Sequence, residues 1–327
     1  VIARAGAGGL GAARVASERG QHGTVVEAQS GAGGQVRLTG QNPGRGGRIG
    51  LIDWRMAQCA ARDVEFRFNT WAEAGNVTAE NPDVVIVATG GLPKTDILEA
   101  GNDLVVSAWD IISGDVKPGA NVLIYDDAGD HPALMAAEIA ANAGAKVEVM
   151  TRDRSFSPEV MGMNLVPYMR SLQPKDVTFT VTWLLKAVTR DGNRLKATIG
   201  SDYLPLTRTA HYDQIIVNHG TEPLADLYFD LRAPSSNLGV VDYDALIAGR
   251  PQAFNGGDAG AFRLYRLGDA VLARNTEAAI YAAPRPLKEI CAFSAFYSLA
   301  GLVMVPRKWT LREPAPASAT TRNRGPA

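Results

Sequence analysis

Short, continuous apolar runs recur along the chain, and several of them end in glycine. The segments 84–87 and 215–217 are of this kind, and Gly90 and Gly220 follow them closely. Strands that are buried on both faces of a parallel sheet are continuously apolar, so we predict central parallel strands at both places. Other segments show the apolar spacing of helices. These are 12–19, 51–61, 132–143 and the stretch from about residue 275.

The remaining apolar segments complete an alternation of strands and helices. Further strands are predicted at 24–28, 64–68, 121–125, 146–150, 177–181, 194–199, 204–209 and 261–269. The stretch from Gly31 to Gly50 is rich in glycine and is predicted to be loop. Strand–helix–strand units therefore begin at residue 1 and at residue 121, and each is followed by a strand that runs into glycine.

This order predicts an α/β protein with two Rossmann-like dinucleotide-binding domains in three layers, the second inserted into the first. We place the first domain at 1–117 and 223–290, and the inserted domain at 118–222. The tail 291–327 ends in proline-, alanine- and threonine-rich sequence, so we predict an atypical and partly disordered segment there.

The first unit carries a nucleotide-binding motif. Gly6, Gly8 and Gly11 satisfy the pattern G-x-G-x-x-G, and Glu27 follows at roughly the 20-residue spacing of a ribose-binding acid. A diphosphate would lie where the helix begins, because unpaired backbone N–H groups and the positive end of the helix dipole meet there. We therefore predict binding of an adenine dinucleotide or of adenosine diphosphate. The alternative is an ordinary glycine-rich turn.

Composition limits which partners, metal centres and cellular locations the sequence predicts. Lysine and arginine number 33 against 34 aspartates and glutamates, so we predict neither nucleic acid nor a membrane surface as a partner. No run of about 18 apolar residues is present. Cys59 and Cys291 form no C-x-x-C pair and are not expected to bind zinc or an iron–sulfur cluster. With no visible signal peptide, we expect a cytoplasmic protein.

Several short stretches resemble one group of flavoproteins. They are Gly33–Leu38, Ile52–Arg55, Val87–Gly91, Asp126–Pro132 and Leu267–Ala270. Over residues 5–290 the chain resembles the C-terminal half of the trimethylamine dehydrogenase and 2,4-dienoyl-CoA reductase (NADH:flavin oxidoreductase) family, most of all its N-methylproline demethylase-like branch. In that family an N-terminal barrel holds FMN and a 4Fe–4S cluster and performs the substrate chemistry. The resemblance implies that this barrel is missing here.

The resemblance also implies a site for FAD, or for ADP without a flavin ring, in the first domain. Its residues are Gly6, Gly8, Gly9, Gly11, Glu27, Ala28, Gly34, Gln35, Ala88, Thr89, Gly90, Gly268 and Asp269. Simpler roles stay open, since Asp269 would serve as a helix N-cap and Thr89 would bind backbone groups. No catalytic residue or metal ligand is predicted, because the chemistry would belong to the cofactor.

Two departures from the family pattern change these expectations. Aligned on Ala12–Val15, the chain is two residues short of the family fingerprint G-A-G-P-A-G-L-E-A-A-R-V in the turn, with Gly9 in the place of the third glycine. We therefore expect a pinched diphosphate site. In the second unit, Asp126, Asp127 and Asp130 stand where a nicotinamide-binding loop carries glycines, and carboxylates repel a diphosphate. We expect that this loop does not bind NAD(P)H and that its histidine, residue 131, only begins a helix.

These observations predict the nucleotide-binding half of a flavin-dependent oxidoreductase. By resemblance, the whole enzyme acts on the C–N bond of a methylated amine, as a demethylase or dehydrogenase. Its partners would be a domain or subunit with FMN and the iron–sulfur cluster, and an electron-transfer protein. Two alternatives stay open: an NAD(P)H-dependent enoate reductase of the 2,4-dienoyl-CoA reductase kind, and a nucleotide-binding structural module without activity.

Overall fold

The computed structural model describes residues 1–42, 44–248, 250 and 261–287, so the predicted tail at 291–327 lies outside the described residues. The strands are β1 (Ile2–Ala3), β2 (Thr24–Val26), β3 (Glu65–Arg67), β4 (Val84–Val87), β5 (Gly91–Pro93), β6 (Val106–Ser107), β7 (Asn121–Asp126), β8 (Lys146–Met150), β9 (Val177–Thr180), β10 (Leu184–Asp191), β11 (Arg194–Gly200), β12 (Thr207–Tyr212), β13 (Gln214–Asn218), β14 (Thr221–Pro223) and β15 (Arg263–Arg266). The α-helices are α1 (Ala7–Glu18), α2 (Gln35–Gly40), α3 (Gly50–Ala60), α4 (Ala74–Ala79), α5 (Ala108–Ser113), α6 (His131–Asn142), α7 (Gly162–Leu172), α8 (Asp226–Arg232), α9 (Tyr243–Ala248), α10 (Thr276–Ala282) and α11 (Pro284–Leu287). Short 3₁₀ helices span Gly46–Ile49, Asn102–Leu104, Pro158–Val160 and Gly268–Ala270.

Five parallel strands form the first sheet, in the order β15-β4-β1-β2-β3. β1 lies at its centre, where Ile2 pairs with Val25 on one side and with Ile86 on the other. Chain order reverses at this strand, because β2 and β3 extend to one side and β4 to the other. Ligands of open α/β sheets bind outside the carboxyl ends of the strands at such a point.

A second parallel sheet has the order β6-β13-β7-β8-β9. Its helix α6 is almost wholly buried, and Leu134 and Met135 pack with Val122 and Ile216 in one apolar cluster. An antiparallel sheet, β10-β11-β12, covers part of this unit, and β5 pairs with β14. In the sequence, the strands of this second sheet lie between β4 and β15 of the first. The protein is thus a mixed α/β fold with two parallel sheets, and its domain boundaries stay a prediction.

Two predicted glycine-rich segments differ from the structure. The helix expected at 12–19 begins at Ala7, and the expected loop from Gly31 to Gly50 contains α2 and a 3₁₀ helix. Both errors have one cause. Glycine has a low helix propensity, so glycine-rich segments resemble loops in sequence. Here residues 7–13 are buried on every side, and tertiary packing determines their conformation.

Candidate functional site

The first turn, between β1 and α1, has its full length. Gly6 is the N-cap of α1 in an extended conformation, and Arg4 has a left-handed backbone with φ of 82°. A Cβ on Gly9 would collide with the carbonyl oxygen of Arg4, so this glycine permits the close approach of helix and strand. Positions 4, 6 and 9 therefore carry the G-x-G-x-x-G spacing, with arginine in the first place. The expectation of a turn two residues short is wrong, because Arg4 occupies the first position of the motif.

The other two motif glycines serve helix packing. A Cβ on Gly8 would lie 2.5 Å from Cδ1 of Leu267, and one on Gly11 would lie 3.0 Å from Cβ of Ala283. Both neighbours belong to the segment that follows β15. The small size of these residues lets α1 lie against that segment, which is a different role from cradling a phosphate.

Glu27 fastens this turn to the end of β2. Its side chain is 3% exposed, and its carboxylate accepts hydrogen bonds from the backbone N–H of Ala5 at 2.7 Å and of Gln29 at 2.9 Å. A carboxylate oxygen has lone pairs beyond these two bonds. Glu27 thus has a structural role that the spacing argument did not foresee, while its contact with a ribose stays a prediction.

A cleft of about 460 Å³ lies at the carboxyl ends of β1, β2, β4 and β15. Most of the predicted site residues line it: Gly6, Gly8, Glu27, Gly34, Gln35, Ala88, Thr89, Gly90, Gly268 and Asp269. Three predicted residues do not line it: Gly9, Gly11 and Ala28. The first two lie in the body of α1, behind the turn.

Around the cleft, hydrogen bonds join residues that are far apart in the sequence. The Gln35 side chain donates to Asp269 at 3.0 Å, and burial raises the pKa of that carboxyl group. Asn275, rather than Asp269, caps α10, so the simple N-cap role for Asp269 is wrong. The Thr89 hydroxyl donates to the carbonyl oxygen of Leu224, which is the backbone role left open above.

The predicted site left out several lining residues, and three of them are arginines. Arg4, Arg37 and Arg274 line the cleft together with two carboxylates, those of Glu27 and Asp269. The lining thus carries one more cation than anions, which favours an anionic ligand. The place of Arg4 in the glycine spacing was the one signal in the sequence. The other two arginines show no pattern that distinguishes them from surface residues.

The second turn, between β7 and α6, is closed by the chain itself. Asp126 is fully buried and accepts hydrogen bonds from Gly129 N at 2.9 Å, from the Asn218 side chain at 2.9 Å and from the Ser157 hydroxyl at 3.2 Å. Burial raises the pKa of Asp126 to about 7. Pro158 lies against the turn, since a Cβ on Gly129 would be 2.7 Å from its Cδ.

The neighbouring acids are likewise held by protein groups. The Asn218 side-chain amide that donates to Asp126 also donates to Asp130, at 2.7 Å. Burial raises the pKa of Asp130. The His219 imidazole, 3.6 Å from Asp127, lowers the pKa of that carboxyl group. His131 begins α6 and lies 3.1 Å from the Tyr168 hydroxyl, and burial lowers its pKa to about 4. The predicted role of His131 as a helix-start residue agrees with this position.

Two other kinds of site are absent from the part of the chain that the structure describes. No group of three or more histidine, cysteine, aspartate or glutamate side chains is arranged to hold a metal ion there. Within the same residues, no helix is both long and apolar enough to cross a membrane.

Comparison with solved structures identifies the fold. The thioredoxin reductase of Lactococcus lactis superposes with a TM-score of 0.61 at 14% identity, covering 88% of this chain and 96% of that one. At that identity the likeness concerns the fold alone. The chain therefore has a mixed α/β fold similar to that of thioredoxin reductase, with Rossmann-type parallel sheets. No family model matches the sequence.

Three curated relatives match nearly the whole chain. A probable N-methylproline demethylase of Rhizobium meliloti is 62% identical over 290 residues, which are 89% of this chain and 43% of the relative. An N,N-dimethylglycine/sarcosine dehydrogenase of Chromohalobacter salexigens is 39% identical, covering 88% and 43%. A multifunctional alkene reductase/demethylase of Caballeronia cordobensis is 34% identical, covering 87% and 42%. The chain is thus a homologue of named oxidoreductases and spans under half the length of the curated relatives it matches.

Proposed function

We propose that this chain is the nucleotide-binding half of a flavin-dependent oxidoreductase, and that its cleft holds the adenosine diphosphate part of FAD, or ADP itself. The observation that carries the proposal is the cleft at the carboxyl ends of the first sheet. Its lining brings together the N-terminus of α1, an acid at the end of β2 and an excess of arginine. Each of these features recognises one part of an adenine nucleotide.

The residues fit such a ligand. A Cβ on Gly6 would meet no heavy atom within 4 Å, so the space above the start of α1 is open to a diphosphate. Glu27 stands at the end of the next strand, where ribose hydroxyl groups would donate to it. Gln35 and Asp269, hydrogen-bonded to each other, would face the more distant part of the ligand. A bound flavin would supply electron transfer, and these side chains would bind and orient it.

For the whole enzyme we propose oxidation of the C–N bond of a methylated amine. Support comes from two relatives, whose names specify N-methylproline and dimethylglycine or sarcosine. The partners would be an FMN- and iron–sulfur-containing barrel, as a domain or a subunit, and an electron-transfer protein. Within the nucleotide-binding half, the second dinucleotide domain would lie inserted in the first.

The enoate reductase alternative is favoured by one relative, which is named an alkene reductase as well as a demethylase. NAD(P)H would then have to bind at the second turn. There, Ser157 and Pro158 pack against Asp126 and Gly129, and the buried carboxylate already accepts three hydrogen bonds. We therefore propose the dehydrogenase or demethylase function over the reductase function.

The test is to purify the chain, record its visible spectrum, and identify by chromatography any nucleotide that it releases on denaturation. We expect FAD, with the two visible bands of an oxidised flavin, or colourless protein that releases ADP. Protein that releases neither and fails to take up either when it is added would contradict the proposal. Rapid bleaching of a bound flavin by NADPH would instead support the reductase function.

A matched pair of variants controls this test. An added Cβ meets nothing within 4 Å at either Gly6 or Gly23, but only Gly6 lines the cleft. Gly6→Ala should therefore weaken nucleotide binding, whereas Gly23→Ala should bind as the wild type does. Equal binding by both variants would place the nucleotide elsewhere.

A further inference from the structure

Arg4 carries a side chain where the glycine spacing has none, and Arg4 is one of the residues that line the cleft. Its backbone forms the first position of the turn, and its guanidinium carbon lies 4.9 Å from the centre of the Trp71 ring. Arg4 lines the cleft, whereas Trp71 does not. Arg4 therefore joins the indole ring to the lining of the cleft.

Topology places this group at the adenosine side of the site. In the first sheet β2 lies beside β1, and β3 lies beyond β2. Trp71 comes shortly after β3, in a segment bound to the end of β2 by two backbone hydrogen bonds: Thr70 N donates to Glu27 O at 2.9 Å, and Asn69 N donates to Gln29 O at 3.1 Å. The Arg4 side chain thus extends from β1 past the ribose-binding position towards β3. The diphosphate position, at the start of α1, lies at its backbone end.

We infer that Arg4 stacks on the adenine base of the bound nucleotide, with the Trp71 indole holding its guanidinium in place; this rests on the proposed function. A guanidinium group is planar and stacks on aromatic rings with either face. In this arrangement one face would rest on Trp71 and the other would meet the base. Trp71 acts through Arg4 and is a positioning residue.

The alternative role for Arg4 is to neutralise the charge of the diphosphate. Substitution by lysine distinguishes this role from stacking. Arg4→Lys keeps the positive charge but removes the plane, and Arg4→Ala removes both. For stacking, both variants should bind ADP about tenfold more weakly than the wild type, because a base stack on a side chain contributes roughly that factor. In Arg4→Lys, which keeps the charge, the slope of affinity against salt concentration should stay unchanged. ADP is the suitable probe, because it is the part that FAD and ADP share.

The experiment is calorimetric titration of ADP into the chain at low and high salt. Wild-type affinity from Arg4→Lys, with a shallower salt dependence for Arg4→Ala, would overturn the stacking role in favour of a charge contact. Wild-type affinity from both variants would remove Arg4 from the site. If the wild-type chain binds neither ADP nor FAD, the proposed function fails, and this inference fails with it.

Two further variants separate stacking from a general disturbance of the fold. Trp71→Ala should weaken ADP binding, and Trp71→Phe should restore it, since a phenyl ring still supports the guanidinium group. Arg14 and Trp54 offer the matched control, because they form a similar pair at 5.6 Å and neither lines the cleft. Arg14→Lys should leave ADP affinity unchanged. Loss of affinity there, or no rescue by phenylalanine, would contradict the stacking role.

Discussion

The two turns that follow β1 and β7 occupy equivalent places in two similar sheets, yet they are built in opposite ways. At the first, the groups that hold the turn are backbone N–H donors and one acid, Glu27, and the space above the helix start is open. At the second, the chain packs Pro158 onto the turn and buries Asp126 beneath it. The same fold thus supplies one open ligand site and one closed structural turn.

The contrast teaches that strand order alone does not predict a ligand site. Both turns lie at carboxyl ends of parallel strands, and both precede a buried helix. What differs is the partner of each polar group. Glu27 at the first turn lines the cleft and has lone pairs beyond its two hydrogen bonds, whereas Asp126 and Asp130 at the second accept from the side chains of Asn218 and Ser157.

The largest effect is expected at Gly9, which fixes the open turn. Gly9→Ala would drive a Cβ into the Arg4 carbonyl oxygen, and backbone cannot yield as a side-chain tip does. We expect a loss of about 3 kcal/mol or more in the free energy of unfolding. Urea denaturation measures it. Gly6→Ala, in the same turn with open space around its Cβ, should lose under about 1 kcal/mol. Equal losses would show that helix and strand are not in close contact at Gly9.

Asp126→Asn tests the closed turn through pH. Burial raises the pKa of Asp126 from 3.8 to about 7, so between these values the folded protein binds a proton more tightly than the unfolded chain. Wild-type stability should therefore fall as pH rises through this window. Each pKa unit corresponds to about 1.4 kcal/mol, so the fall should be on the order of 2–3 kcal/mol between pH 5 and pH 8.

Asparagine keeps an oxygen for the bonds from Gly129 and Asn218, and it cannot titrate in this range. The stability of Asp126→Asn should accordingly vary less between pH 5 and pH 8 than that of the wild type, as urea denaturation at both values would show. The same pH dependence in both proteins would contradict the assignment to Asp126.

Glu27→Gln tests how the open turn is held. Glutamine would present an amide donor to one of two backbone donors, those of Ala5 and Gln29, leaving one of them unpaired. We expect a loss of about 2 kcal/mol in the free energy of unfolding. Glu65→Gln is the control, because its carboxylate is exposed and its ion pair with Arg67 is screened by water, so its loss should be much the smaller of the two. Similar losses of unfolding free energy in Glu27→Gln and Glu65→Gln would contradict the structural role of Glu27.

Much of the sheet structure followed from the sequence, because buried parallel strands are continuously apolar. The strand predicted at 146–150 agrees with β8, and the apolar run at 84–87 agrees with β4. Less periodic elements were displaced or missed. β12 begins at Thr207 instead of at residue 204, because its register with β11 sets its ends. α7 escaped prediction because Pro167 lies inside it.

The candidate site was predictable only in part for a related reason. Glycine positions and the acid at 27 are visible as spacing, so most of the cleft lining was found. The sequence spacing does not show which residue occupies which position of the glycine motif, because two registers, beginning at residues 4 and 6, fit the same pattern. The choice depends on distances between atoms in the folded protein. Only the left-handed backbone of Arg4 and the contact at Gly9 decide between them. Likewise, the three aspartates of the second turn were visible, but their bonds to Asn218 and Ser157 were not.

The smallest effect concerns the backbone of Arg4 in the open turn. Its φ of 82° is unfavourable for any residue other than glycine. Arg4→Gly and Arg4→Ala both remove the side chain and its contact with Trp71, so that contribution cancels between them. Alanine retains the strain of a left-handed conformation, whereas glycine relieves it. Arg4→Gly should therefore be more stable than Arg4→Ala by about 1 kcal/mol in urea denaturation. Asp191, which lies in strand β10, is the control. There the glycine variant should be less stable than the alanine variant, the opposite of the order expected at position 4. An alanine variant as stable as the glycine variant at position 4 would mean that the turn relaxes. The register through Arg4, Gly6 and Gly9 would then lose its backbone evidence.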